Sequence, residues 1–318
     1  MQFFDGLGEV PAGFGPSAVT IGKFDGLHIG HRSVLRQLRE LADERGLAAT
    51  VVTFDRNPLQ VIAPEKCPDP LVGNEQKRRL LESAGVDATL MLRFDRALAD
   101  ESAEQFIESV LTGALHAQVV LCGADFRFGA RGAGDVALLR QAGIANGFDV
   151  VILDDVEVAG GSGPRRASAT WVRELLAEGR VREAASLLGR LPSIHSTVVH
   201  GVQRGRELGY PTANLDPEID GYLPKDGVYA TWAVIDGVGY ASATSIGNNP
   251  TFDGIPQHQV ETHLFDQKLD LYGRPIELQF VDYLRPMSKF ASVDALIEQL
   301  RADDAEIRRI LATEAAPA

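Results

Sequence analysis

His28 and His31 stand three residues apart in the run Gly22 to His31, GKFDGLHIGH. At that spacing two imidazoles share one side of a helix's first turn, where both can hydrogen-bond the oxygens of a phosphate. Gly30 between them allows the phosphate close to the backbone. Such an arrangement suits nucleotidyl transfer, which needs donors around an α-phosphate whose charge grows in the transition state, and needs no enzyme nucleophile. A lone pair of histidines is most often structural. Here Gly22, Phe24, Asp25 and Gly26 surround it, and the run follows an apolar strand, which favours the phosphate site.

Such histidines must be delivered by a strand and carried by a helix. Ala18-Val19-Thr20-Ile21 has the β-branched character of a buried strand, and Val34, Leu35, Leu38, Leu41 and Ala42 recur at helical spacing. A strand, glycine-rich turn and helix in a parallel sheet place the turn at the strand's carboxyl end, where the next helix's N–H groups favour an anion. Strands are expected near 18–22, 48–54, 88–92, 117–122 and 148–153 with helices between, the rhythm of a doubly wound parallel sheet. Two further helices, near 169–178 and 181–188, end at Gly189 and Pro192. Beyond them, segments near 195–203, 227–236, 239–247, 258–265 and 276–284 predict an antiparallel meander or small barrel. One or two closing helices carry the apolar stripe Leu296, Ile297, Leu300, Ile307, Ile310 and Leu311. This pattern divides the chain into two domains, 1–188 and 189–318.

Three more stretches of the first domain fall on strand edges or helix starts. Thr53 to Pro58 includes Asn57. Gly123 to Gly129 offers Asp125, Phe126 and Phe128, able to stack on a planar ring and hydrogen-bond its edge, or equally to form an ordinary turn with a phenyl ring tucked into the core. Arg165 to Arg173 sets Ser168 and Thr170 at a helix start with three arginines, Arg165, Arg166 and Arg173. Capping explains the hydroxyls; the arginines favour a polyphosphate clamp.

In the second domain Gly201 to Leu215 holds Gly205, Arg206, Gly209, Thr212 and Asn214. Glycines let backbone amides approach phosphates, and a Thr hydroxyl with an Asn carbonyl makes hard oxygen ligands for Mg²⁺. Asn248 lies in another polar loop, and Glu261 and His263 share one face of a strand. A carboxylate there can take the proton of a substrate hydroxyl.

The chain has 318 residues and a formal charge of −13, with 31 basic against 44 acidic side chains. Extended nucleic-acid binding needs clustered Lys and Arg and is not expected. Cys67 and Cys122 are the only cysteines, too few for a disulfide framework or a thiolate metal cage; Cys122 ends an apolar strand and reads as a buried thiol. With no apolar run near the ~20 residues of a membrane span and no basic start of a signal peptide, the reading is a cytoplasmic protein without membrane partners, monomeric or weakly homo-oligomeric.

The ordered motifs resemble those of one family, the prokaryotic bifunctional riboflavin kinase/FMN adenylyltransferases, or FAD synthetases, a branch of the HIGH-type nucleotidyltransferases. G-x-F-D-G-x-H-x-G-H, the Gly123–Gly129 loop and the Ser168–Arg173 stretch are similar to its adenylyltransferase half. G-x-x-R-G-R-x-L-G-Y-P-T-A-N-L, V-E-T-H-L-F-D, D-L-Y-G (Asp270 to Gly273) and Y-L-R (Tyr283 to Arg285) are similar to its kinase half. The resemblance implies a Rossmann-like domain followed by a six-stranded antiparallel barrel with a terminal helix. It implies His28 and His31 at the α-phosphate; Ser168, Thr170 and Arg173 at the pyrophosphate; and Asn57, Asp125, Phe126 and Phe128 at FMN. In the kinase half it implies Thr212 and Asn214 at Mg²⁺ and ATP, Glu261 as base for the ribityl hydroxyl, and Arg285 near the flavin. ATP is the co-substrate, with riboflavin, FMN and FAD as substrates or products. Asn57 stands where the family commonly has His, Ala169 replaces the middle Ser, and Trp171 takes a place often held by Arg. A kinase with weak adenylyl transfer and a non-catalytic flavin binder are the alternatives. Pro286-Met287-Ser288-Lys289-Phe290 resembles part of the KMSKS loop of aminoacyl-tRNA synthetases, but it falls in the β-rich domain and reads as a helix-leading segment.

Overall fold

Short runs of β-branched residues alternating with amphipathic helices form a sheet of six parallel strands: β1 (Gln2–Asp5), β2 (Ser17–Ile21), β3 (Ala48–Phe54), β4 (Ala88–Leu92), β5 (Ala117–Gly123) and β6 (Asp149–Leu153). The computed structural model describes residues 1–160, 163–201, 209–247, 259–267 and 269–317, and the chain divides into two units, Met1–Ser168 and Ala169–Ala318.

In the first unit the strand order is β1-β4-β3-β2-β5-β6. The helices are α1 (Ile29–Arg45), α2 (Leu59–Ile62), α3 (Asn74–Ser83), α4 (Arg96–Asp100), α5 (Ala103–Phe106, continued by a π-helical stretch Ile107–Ala114) and α6 (Val136–Asn146). Two cores flank the sheet. Leu35, Leu38 and Ala42 of α1 pack on Ala49, Val51, Val119 and Leu121. Phe106, Val110, Leu111 and Leu139 pack on Val19, Val52, Leu90 and Val120. Adjacent residues of one strand thus face opposite cores, as a doubly wound sheet requires. The order reverses at β2, which lies between β3 and β5, so the turns leaving β2 and β5 flank a switch-point crevice.

The five expected strands are all present, and the structure adds others. β1 is four residues long, too short to show a period. The hairpin β7 (Glu157–Gly160) and β8 (Gly163–Arg166) falls where the sequence shows charge and glycine rather than alternation.

The second unit opens with α7 (Ala169–Glu178) and α8 (Val181–Leu188), within the limits read from sequence. Both helices bond to more C-terminal residues of the same unit: the Lys225 amide donates to Leu176 O (2.9 Å), and Arg182 Nε donates to Asp282 (2.8 Å). These two helices thus group by packing with the residues that follow them. Next come β9 (Ser193–Val199), β10 (Ala213–Leu215), β11 (Gly227–Ile235), β12 (Val238–Gly247), β13 (Gln259–Leu264) and β14 (Pro275–Arg285), a closed antiparallel barrel in the order β10-β13-β12-β11-β14-β9. β10 is a correction to the sequence reading, whose expected strands pass from 195–203 directly to 227–236. Its three residues pair on both sides, with β9 and β13, and close the barrel.

The barrel's interior contains a hydroxyl network. Thr231, Ser242, Thr244 and Thr262 are all fully buried, with Thr231 Oγ1 2.8 Å from Ser242 Oγ and 2.7 Å from Thr244 Oγ1, which donates to Thr262 Oγ1 at 2.9 Å. Outward-facing Val228, Ala230 and Trp232 pack on Ile307, Ile310 and Leu311 of one terminal helix, α9 (Val293–Leu311).

Arg285 ends β14 and is held by that helix. Its Nη2 and Nε donate to Asp303 at 2.6 and 3.0 Å, while Gln299 donates to the same carboxylate at 2.8 Å. The Asp303 side chain is only 5% exposed, so Asp303→Ala strands a guanidinium that is itself 19% exposed. The expected cost is ~3 kcal/mol or more of the second unit's stability. Urea unfolding followed by tryptophan fluorescence measures it selectively, since Trp171 and Trp232 both belong to this unit. An unchanged midpoint would show that the pair contributes nothing.

Candidate active sites

The turn after β2 is built from backbone that few sequences tolerate. Phe24 and Leu27 adopt left-handed φ values of 46° and 39°, with Gly26 at 76° between them. For non-glycine residues this costs ~1–3 kcal/mol each unless the surroundings hold them. Phe24 and Leu27 are both buried in the α1-side core, and Asp25 Oδ1 accepts the Leu71 amide at 2.8 Å. The outcome is that His28 caps α1 and His31 lies in its first turn, their rings stacked at 3.8 Å with 23° between planes. The Phe24 ring lies 5.1 Å from His31. A Cβ at Gly30 would sit 3.0 Å from His28 Nδ1, so the glycine lets the ring lie close over the backbone without being displaced.

Burial, then the charges of His28, Arg166, Lys23 and Lys77, hold the His31 imidazolium well below the ordinary histidine range. His31 is therefore a neutral ring at neutral pH, and its buried Nδ1 has no hydrogen-bond partner among the described residues. Lys77 went unnoticed in the sequence. It is 6% exposed, donates to Phe54 O at 2.9 Å, and has its own pKa lowered by burial against the pull of Asp25 and Asp55. Its signal was position: it lies one helical turn before the buried Leu81 on the face of α3 that meets the sheet.

The other expected residues of this half are placed unevenly. Asn57 Oδ1 accepts the Leu59 amide at 3.1 Å in the turn that leads into the short α2. Asp125 receives Arg166 Nη1 at 2.8 Å, which ties the loop after β5 to hairpin strand β8; Arg166 also meets Asp155 at 3.0 Å. Phe126 and Phe128 stack at 5.3 Å and 14°. Phe128 belongs to the core and packs towards Phe106, so the core reading holds for that ring, while Phe126 lies half-buried over it. Ser168 immediately precedes α7, whereas Thr170 and Arg173 lie on α7, so this motif spans both units. Cys122 is buried, unpaired, and pushed up to about 11 by desolvation, as an inert thiol would be.

In the barrel, the alternation of β13 puts Glu261 and His263 on its outer face while Val260, Thr262 and Leu264 turn inward. Asn214 is the cross-strand partner of Glu261, and Thr212 Oγ1 donates to Glu261 Oε2 at 3.2 Å. Burial raises the Glu261 pKa, opposed by the Thr212 hydroxyl. A Cβ at Gly201 would fall 2.3 Å from the Asn214 amide carbon, so that glycine is required by the Asn214 side chain packed on it. A cavity of about 570 Å³ adjoins this cluster, lined by Thr212, Ala213, Thr262 and Leu264 together with Asp270 and Tyr272 of the D-L-Y-G run. Gly209 is exposed at φ 81°; Gly205, Arg206 and Asn248 lie outside the described residues. Arg285 is committed to Asp303.

Comparison with known proteins finds two family matches along the chain. A family model for FAD synthetase matches residues 12–164, and one for riboflavin kinase matches residues 188–311. A bifunctional riboflavin kinase/FMN adenylyltransferase of Escherichia coli (strain K12) is 40% identical over 293 residues, 91% of each chain. One of Haemophilus influenzae is 35% identical over 306 residues, covering 95% of this chain and 97% of its own. A crystal structure from Streptococcus pneumoniae, described as a macrolide-efflux protein, superimposes with a TM-score of 0.84 at 32% identity, covering 96% of this chain and 98% of its own. Among the described residues no helix is long and apolar enough to cross a membrane.

The depressed His31 pKa has a consequence for stability. Between the folded pKa and the unfolded value near 6.5, the unfolded chain binds a proton that the folded ring refuses. Stability of the first unit is thus lost as pH falls below ~6.5 and is present above it. His31→Gln is expected to flatten this dependence, read as hydrogen exchange of α1 amides. Proton NMR should place the midpoint of the His31 ring below 6.5; a midpoint at or above that value would contradict the burial and positive surroundings assigned to the ring.

Proposed function

Since the chain belongs to the bifunctional riboflavin kinase/FMN adenylyltransferase family, we propose that it makes FAD from riboflavin in two steps at two sites. At the barrel site the ribityl 5′-hydroxyl loses its proton to Glu261 as its oxygen attacks the γ-phosphorus of ATP, giving FMN and ADP. At the switch-point site an FMN phosphate oxygen attacks the α-phosphorus of a second ATP; the bond to the β-phosphate breaks, and pyrophosphate and FAD leave. The observation that carries the reading is a pair of electrostatically opposite sites: a neutral His31 ring stacked on His28 among cations in one, and a half-buried carboxylate with raised pKa in the other.

Each side chain has a part that its surroundings support. His28 and His31 donate to the α-phosphate as charge builds on it, with Gly22, Phe24 and Asp25 holding their turn. Ser168, Thr170 and Arg173 serve the leaving pyrophosphate. Asp125 and Phe126 meet the flavin, with Phe128 supporting Phe126 from the core. In the barrel, burial keeps Glu261 basic enough to accept a proton, and Thr212 keeps it aimed. Arg285 anchors the helix that covers the barrel beside the flavin.

Mg²⁺ fits the barrel site by donor chemistry. The Thr212 hydroxyl and the Asn214 carbonyl are hard oxygen donors, and Gly201 packs the Asn214 amide in place. No cluster of three or more His, Cys, Asp or Glu side chains suited to a metal occurs among the described residues, so the ion would be shared between these two donors and ATP phosphates. When bound, it offsets negative charge on the transferred phosphoryl group. ATP use at both sites supports a cytoplasmic setting, and a monomeric or weakly associating chain suffices for both.

A kinase with slow adenylyl transfer is the second reading, supported by Asn57, whose side-chain oxygen accepts the Leu59 amide, and by Ala169, which offers no donor. Chromatography of flavins formed from riboflavin, ATP and Mg²⁺ separates the two: FMN then FAD for both activities, accumulating FMN for the second. Glu261→Gln should lower FMN formation by ~10²–10⁴ while sparing adenylylation of supplied FMN. His28→Ala should do the reverse by ~10²–10³. If either variant, folded, lost both reactions, the two-site reading would be wrong. Gly201→Ala, by displacing Asn214, should impair the kinase step alone.

A further inference from the structure

We propose that His263 is a positioning residue for phosphoryl transfer: its ring holds the Pro211 carbonyl, and through it sets Thr212 against Glu261. This rests on the kinase reading of the barrel. Nothing in that reading uses His263.

β10 pairs with β13 only through Ala213 to Thr262 and Asn214 to Glu261. Beyond Ala213 the ladder stops, and Pro211 has no N–H to extend it. Thr212 therefore sits at the frayed end of a three-residue strand, shortly after residues 202–208, which lie outside the described structure. A side chain in that position needs another restraint to keep one rotamer.

His263 supplies it. Its Nδ1 lies 2.7 Å from Pro211 O, and because a carbonyl only accepts, Nδ1 carries the proton. The ring is fixed by edge contacts with Tyr210 at 5.5 Å and Phe265 at 5.7 Å. It lies on the same face of β13 as Glu261, two residues away, so the strand that carries the carboxylate also grips the turn that carries its hydrogen-bond donor. Release of Pro211 would let Thr212 swing away and leave Glu261 with burial unopposed.

The charged groups around this cluster come from several elements. Asp266 and Asp304 act on the ring electrostatically, and Arg308 of α9 pairs with Asp266 at 2.6 Å and lies over Phe265.

Two variants separate the donor from the ring. His263→Phe keeps an aromatic ring against Tyr210 and Phe265 and removes the donor; His263→Gln removes the ring and keeps a neutral amide donor. The primary measurement is the ¹³C NMR titration of the Glu261 carboxyl in the full chain, with Thr212→Val as reference. In His263→Phe the midpoint should rise in the same direction as in Thr212→Val, and in His263→Gln it should stay near the wild-type value. Riboflavin phosphorylation should change in parallel, with kcat at least about tenfold lower in His263→Phe and its acid limb moved to higher pH. Adenylylation of supplied FMN should be unchanged in both. A wild-type Glu261 midpoint in folded His263→Phe would overturn the tether, as would equal kinase loss in both variants with unmoved acid limbs. Absence of FMN formation by the wild-type chain would instead defeat the kinase reading, while the NMR midpoints still decide the tether.

Discussion

Two imidazolium rings stacked 3.8 Å apart repel each other strongly unless an anion lies against them. At an effective dielectric near 20, two unit charges at that distance repel by about 4 kcal/mol. Lys77, Lys23 and Arg166 add to the repulsion at His31. His31 is thus held as a neutral ring in a positive field. The surrounding carboxylates are turned to other work: Asp25 accepts the Leu71 amide, Asp55 the Phe94 amide, and Asp125 the Arg166 side chain. Each fixes a loop at the carboxyl edge of the sheet. A site organised this way has its charge placed before the ligand arrives, and little reorganisation is left for the moment of reaction.

The barrel solves the inverse problem. A base must be unhappy enough as a carboxylate to take a proton, yet oriented enough to take it from one atom. Burial provides the first condition at Glu261, and the Thr212 hydroxyl the second. Both rest on the barrel being closed by β10, a strand of three residues. The buried hydroxyls of Thr231, Ser242, Thr244 and Thr262 add a directional constraint between β11, β12 and β13 that apolar packing would not. A register slip there would turn Glu261 inward.

The parallel sheet and most of the barrel were legible because their strands are long or fully buried, and the His pair was legible because chemistry and turn glycines coincide in ten residues. The features that escaped share a lack of short-range signal. β10 shows no period over three residues, and its partners are remote in sequence. Phe126 and Phe128 look alike in sequence and separate only when Phe106 covers one of them. Arg285 carries a motif arginine's identity, yet its pairing with Asp303 depends on where α9 lands. Lys77 is one more surface-type residue until α3 docks. The helices α7 and α8 were placed correctly as elements, while their allegiance to the barrel is a matter of tertiary contacts such as Lys225 to Leu176.

A chain with formal charge −13 nevertheless has to attract the polyanion ATP. Its long-range field does not help, but at physiological ionic strength that field fades within about 8 Å. Many surface arginines are neutralised locally, as Arg36 by Glu40, Arg39 by Asp43, Arg180 by Glu183 and Arg309 by Glu306. Positive potential therefore survives where cations are drawn inward rather than paired on helix faces, and Lys77 beside the stacked histidines is such a place. The acidic exterior then acts as a filter. A phosphate group gains from this fold only by entering a built site, and an extended polyanion that cannot enter meets repulsion along its length.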